Sequence, residues 1–123
     1  MENTKTHSYK DLLVWHKAIE LSVAVYATTE KLPREEIYGL TSQMRRAAVS
    51  IGSNIAEGRM RGTRNDYIHF LQMAYGSAAE LDTQIEIAKK LPHLKNIDWG
   101  KTEGFLGETL RMLGVMISRM KAL

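Results

Sequence analysis

Apolar residues recur along this chain at steps of three and four, and no stretch alternates long enough to make a strand. The clearest run is Tyr67, Leu71, Ala74, Ala78, Leu81, Ile85 and Ala88, a heptad seam of the kind that packs helices at a shallow angle. Phe70, Ser77 and Gln84 flank it and are placed to face a second neighbour. Thr63, three residues before Asp66, opens the segment with a capping box. Lys89 and Lys90 suit its negative end and Pro92 enforces a stop, so the helix is expected to run to about Lys90, roughly 40 Å in length.

Upstream, Leu12, Trp15, Ile19, Ser22 and Tyr26 form one stripe, and Val14, Ala18, Leu21 and Val25 a second beside it. Together they make an unusually wide apolar surface. Asp11 is placed to cap that helix or to complement its dipole, and Pro33 ends it near Glu30. Pro33 to Glu36 suits one tight turn, after which Gly39 resets the backbone and Thr41 is a cap candidate for a second helix. Its core positions are Leu40, Met44, Ala47, Ile51 and Ile55. Small residues around Gly52 invite close packing, and Gly58 and Gly62 bracket the exit. A last helix is expected from Ile97 or Asp98, with its seam on Leu106, Leu110, Leu113, Ile117 and Met120 and with Phe105 and Met116 beside it. Its glycines either permit close approach or let the portion from Asp98 to Gly107 fray. The pattern predicts an all-α, antiparallel up-and-down four-helix bundle over residues 11–123, behind a flexible polar lead-in over residues 1–10.

Composition narrows the chemistry. A chain of 123 residues, 44% hydrophobic and 25% charged, has the size of one domain and enough apolar mass for a core of its own. With no cysteine, thiol nucleophiles, disulfides and cysteine zinc sites are all excluded. No apolar run approaches the ~20 residues of a membrane span, and the first ten residues lack a secretory-type apolar segment, so a cytoplasmic protein without a membrane partner is expected. The net charge of +3 permits a nucleic acid or an acidic partner and selects neither.

The strongest local charge feature is Arg59, Arg61 and Arg64 around the glycines that separate helices two and three. Arginines beside a helix start are suited to gripping phosphates without reading bases. Lys89, Lys90 and Lys95 form a second patch, which alternating helices place at the opposite end. Arg45 and Arg46 admit two readings: pairing with a carboxylate of another helix such as Glu80, or an exposed nucleic-acid or partner surface. Asn54 is expected to cap or bridge helices, and Glu57 shares a polar stripe with Ser53. Gln43, Arg45, Asn54 and Glu57 are also of the types with which a small helical enzyme holds an anionic metabolite. Trp15, Tyr26 and Tyr67 lie on packing stripes and read as core residues rather than base-stacking platforms. The pairs His16–Glu20 and Asp66–His69 offer only two ligands each, so no metal and no cofactor is expected. No nucleophile elbow or phosphate loop accompanies the serines, and no catalytic residue is assigned.

Several motifs in order carry a family resemblance. They are Asp11-Leu-Leu-Val-Trp-His-Lys-Ala, Leu32-Pro-Arg-Glu-Glu, Gly39-Leu-Thr-Ser-Gln, Arg45-Arg-Ala-Ala-Val-Ser-Ile-Gly-Ser-Asn-Ile-Ala-Glu-Gly58, Phe70-Leu and Gly76-Ser-Ala-Ala-Glu-Leu-Asp-Thr-Gln84. From Asp11 to about Leu123 the chain resembles the four-helix-bundle proteins encoded in intervening sequences of bacterial 23S ribosomal RNA genes, once labelled S23 ribosomal proteins. That family is in turn similar to the accessory variability proteins of diversity-generating retroelements, basic rings that bind nucleic acid and partner a reverse transcriptase. The resemblance implies an up-and-down bundle and a homo-oligomer, with a pentamer favoured over a dimer. Taken with the arginine clusters, the first functional reading is a non-catalytic scaffold associating with RNA or DNA, alongside a protein partner. The alternative is a purely structural or protein-binding bundle and, after it, a small helical enzyme acting on an anionic metabolite. The family commonly has proline where this chain has Gly52, so the bend that proline imposes becomes optional here.

Overall fold

The structure is a computed structural model that describes residues 8–123. Four helices account for most of it: α1 (Leu13–Thr29), α2 (Ser42–Met60), α3 (Arg64–Lys90) and α4 (Gly100–Ala122). No strand occurs among the described residues. Each helix packs on its neighbours in chain order, and α1 closes the bundle against α4. Cross-helix contacts fix the alternation. Ser50 meets Ser77 at 2.9 Å, Thr28 meets Thr102 at 3.0 Å, and Lys17 reaches Glu108 at 3.2 Å. The fold is the all-α four-helix bundle that the periodicity predicts.

The core follows the seams. Val14, Ala18, Leu21 and Val25 of α1 meet Met44, Ala47, Ile51 and Ile55 of α2 and the α3 heptad from Leu71 to Ala88. α4 adds Leu106 and Leu113, with Leu110, Ile117 and Met120 partly buried against them. The first residue of the heptad, Tyr67, is half-buried. Two polar side chains of α4 are also buried: Thr109 donates to the Phe105 carbonyl at 2.8 Å, and Thr102 bonds Thr28.

Helix ends depart from expectation at several points. Asp11 does not cap α1: it closes a 3-10 turn (Tyr9–Asp11) whose cap is Ser8, and the cap position of α1 is Leu12. The lead-in expected to be flexible lies outside the described residues up to position 7, while Tyr9 packs edge-on against Trp15 at 5.2 Å. Thr41 makes no capping hydrogen bond. The wide turn before α2 (Ile37–Thr41) leaves helical geometry at Gly39, and the Glu36 carboxylate reaches forward to accept from the Leu40 amide. α4 begins at Gly100 rather than Ile97 or Asp98, because Asp98 spends its carboxylate on the Gly100 amide at 2.9 Å. From Gly100 it runs unbroken through its glycines.

α2 also runs unbroken through Gly52, which is buried where an added Cβ would lie 3.7 Å from Ala18. Gly58, expected at the exit, sits inside the helix. A Cβ there would lie 2.6 Å from the Phe70 Cβ, so α2 and α3 touch at a separation only glycine allows. The reversal itself uses Gly62 at φ +93°, followed by Thr63, whose hydroxyl accepts from the Asp66 amide at 3.1 Å.

Candidate functional site

The α2–α3 reversal places Arg59, Arg61 and Arg64 at one end of the bundle, where Arg59 and Arg64, but not Arg61, line a cleft of about 310 Å³ with Gly58, Gly62, Thr63, Tyr67 and Met120. Each guanidinium is held by the protein. Arg61 lies 4.9 Å from the Phe70 ring centre, with the Glu57 carboxylate 3.8 Å away. Arg64 donates to the Met120 carbonyl at 3.1 Å, which ties the start of α3 to the end of α4. Arg59 lies 6.0 Å from the ring of Tyr67, whose hydroxyl is pushed up in pKa by burial and partly held back by that arginine's charge. The Tyr67 ring and the Met120 carbonyl orient Arg59 and Arg64 without cancelling their charge, whereas Glu57 partly offsets that of Arg61; the terminal nitrogens of a guanidinium remain the donors suited to a phosphate.

The opposite end behaves differently. Lys89 is ion-paired with Glu103 and lies 3.7 Å from Glu86, contacts that raise its pKa, with the Glu103 hydrogen bond the largest cause. Of the second patch, only Lys90 and Lys95 remain exposed without such a partner among the described residues.

Arg45 and Arg46 belong to this second end, far along α2 from Arg59. The carboxylate expected for Arg45 is replaced by neutral groups. Its Nε donates to the Thr29 hydroxyl at 2.9 Å, a terminal nitrogen reaches the Tyr26 carbonyl at 3.4 Å, and the guanidinium lies 4.5 Å from the Tyr26 ring centre. Tyr26 is therefore a half-exposed support for an arginine rather than a core residue. Arg46 shares a cleft with Gln43, Ser50 and Glu80, yet the two charges form no ion pair, and Glu80 instead accepts from Gln84 at 3.4 Å. Asn54 neither caps nor bridges: its amide donates within α2 to the Ser50 carbonyl at 2.9 Å and hydroxyl at 3.0 Å. The residues weighed for enzyme chemistry are thus not brought into one enclosed pocket.

The wide apolar surface that the sequence places on α1 is only partly buried. Along α1 the stripe from Val14 to Val25 is buried, whereas Leu13 (69% exposed), Ile19 and Val23 (64% exposed) face outward. An apolar groove between α1 and α4 lined by Leu12, Leu13, Met112, Val115 and Met116 continues this face at one end, and a second groove at the other holds Ile19, Val23 and Phe105 beside the charged Glu20, Lys31, Asp98 and Lys101.

No group of three or more metal-ligating side chains occurs among the described residues, and none of their helices is long and apolar enough to cross a membrane. What these features define is a compact four-helix all-α protein with arginines at both ends and an apolar flank. A sequence profile of the family described as 23S rRNA-intervening sequence protein matches residues 10–115, and the chain belongs to that family. No curated protein matches it.

Proposed function

We propose that this protein is a non-catalytic, self-associating helical scaffold that touches nucleic-acid phosphates through Arg59, Arg61 and Arg64. The observation that carries the reading is the exposed apolar flank of α1 and α4, on a chain whose core is already complete without it. Large apolar side chains gathered beside an apolar groove on one flank mark a surface suited to a protein partner. A second copy is the occupant most consistent with the family resemblance, which favours five subunits over two. Repeating one arginine end around a ring would multiply individually weak phosphate contacts.

Light scattering after size separation tests the assembly, with Val23→Asp expected to dissociate it while the helices persist. A wild-type chain that stays monomeric across concentrations rejects self-association, and a dimer rejects the ring. Fluorescence anisotropy with unrelated RNA and DNA probes tests the second half. Binding is expected to fall steeply with salt as phosphate contacts release counterions. Replacing all three arginines with glutamine is expected to weaken binding to both probes. No binding at low salt leaves the purely protein-binding alternative standing.

A further inference from the structure

The strongest unassigned feature is a cleft of about 580 Å³ where α1 ends and α2 begins, lined among others by Tyr26, Arg34, Ile37, Thr41, Arg45 and Arg46. Three guanidiniums border it against one carboxylate, Glu30. Arg45 is already immobilised by Thr29 and Tyr26, so part of the cost of ordering a cationic side chain is met before any ligand arrives. Arg34, on the 3-10 turn Arg34–Glu36, and Arg46, one residue further along α2, are exposed and bound to no other side chain among the described residues. Thr41 is only 7% exposed, lines the same cleft, and its hydroxyl makes no hydrogen bond there. Three guanidiniums and a hydroxyl that is open to solvent and free of protein partners thus line one cleft, an arrangement suited to holding an oxyanion.

The other side of the cleft is apolar. Leu32 and Ile37 line it together with the half-exposed Tyr26. Its volume falls within the range of small-ligand sites and leaves room for more than an inorganic anion.

We propose that this cleft binds the phosphate of a 5′-phosphorylated nucleotide. Arg34, Arg45 and Arg46 hold the phosphate oxygens, Thr41 donates its hydroxyl, and the nucleoside lies toward Tyr26 and Ile37. The ligand is either a free mononucleotide or the 5′-phosphate end of a strand; both present the same group. The site stands apart from the Arg59–Arg61–Arg64 end, so it does not depend on that end binding nucleic acid.

Calorimetric titration of the full chain with AMP, adenosine, inorganic phosphate, and short RNA with and without a 5′-phosphate tests the proposal. AMP or the 5′-phosphorylated RNA is expected to bind at least tenfold more tightly than its unphosphorylated counterpart. Preference for AMP identifies a free nucleotide and preference for the 5′-phosphorylated strand identifies a strand end. The double variant Arg34→Gln/Arg46→Gln is expected to lose at least tenfold in affinity with an unchanged melting temperature, and Arg34→Gln alone supplies the same readout if the double variant is unstable. The Arg59, Arg61 and Arg64 glutamine variant is expected to bind AMP normally, which separates failure of this site from failure of the other. Equal affinity for adenosine and AMP, absence of saturable binding by either phosphorylated probe, or unchanged binding by the folded arginine variants overturns the assignment.

Discussion

α1 and α3 carry equally regular apolar patterns and use them in opposite ways. Every heptad position of α3 from Leu71 to Ala88 is buried, and its outer surface is mostly polar apart from Met73, Tyr75 and Ile87, each less than half exposed. α1 buries Val14, Ala18, Leu21 and Val25 to the same degree, then holds Leu13, Ile19 and Val23 in solvent. Period alone therefore does not separate core from interface. The surplus does: α1 packs Leu12 and Trp15 against the core beside its buried stripe and still has Leu13, Ile19 and Val23 left over.

The sharpest way to break this comparison is to place one charge on each helix. Leu81→Asp buries a carboxylate without a partner among α3 core residues and is expected to cost about 4 kcal/mol or more, seen as loss of cooperative melting. Val23→Asp is expected to change the stability of the isolated chain by no more than about 0.5 kcal/mol. Comparable losses in both variants would show that the outward stripe belongs to the core.

A smaller effect is expected at the tightest contact of α3. Gly58→Ala gains helix propensity of about 1 kcal/mol but drives a methyl group into Phe70, for which overpacking costs about 1–3 kcal/mol. Net destabilisation in chemical denaturation is the expected result. A more stable variant would mean that the two helices separate readily.

The mildest expectation concerns Glu36, which joins the turn before α2 to the α3–α4 connection through His93 at 2.7 Å. The His93 hydrogen bond, and then the Leu40 amide, hold its carboxyl below the ordinary value of 4.5. A carboxylate lowered on folding contributes stability above its unfolded pKa, and that contribution is lost as pH falls through the folded one. The melting difference between wild type and Glu36→Gln is therefore expected to be largest above pH 4.5 and to shrink at lower pH. A constant difference would show that the contact does not depend on ionisation.

What could be read in advance follows from which forces are local. The α3 seam, the stop at Pro92 and the Thr63 cap depend on neighbours within a few positions, and each stands where the sequence places it. Thr41 fails as a cap because the turn Ile37–Thr41 runs straight into α2 and leaves Thr41 itself in helical geometry rather than the extended geometry of a cap residue. Gly58 looks like a helix exit until the helix opposite is known, since its role is set by Phe70. Likewise Arg45 was expected to seek a negative charge but found Thr29 and Tyr26, sixteen and nineteen residues back. Of the candidate site, the grouping of Arg59, Arg61 and Arg64 was legible because one short turn carries all three. The cleft of Arg34, Thr41 and Arg46 was not, because a broken turn folds it together.

The close approach at Gly58 also bears on the order in which entropy is lost. Only Arg61, Gly62 and Thr63 separate α2 from α3, so drawing that pair together closes a very small loop. α1 and α4 are the chain's two remote helices, and their contact encloses nearly everything between them. Loop-closure cost grows with the logarithm of the enclosed length. The bundle is thus a cheap hairpin at its centre, fastened by an expensive clasp between its ends. The clasp is the side that carries the surplus apolar face.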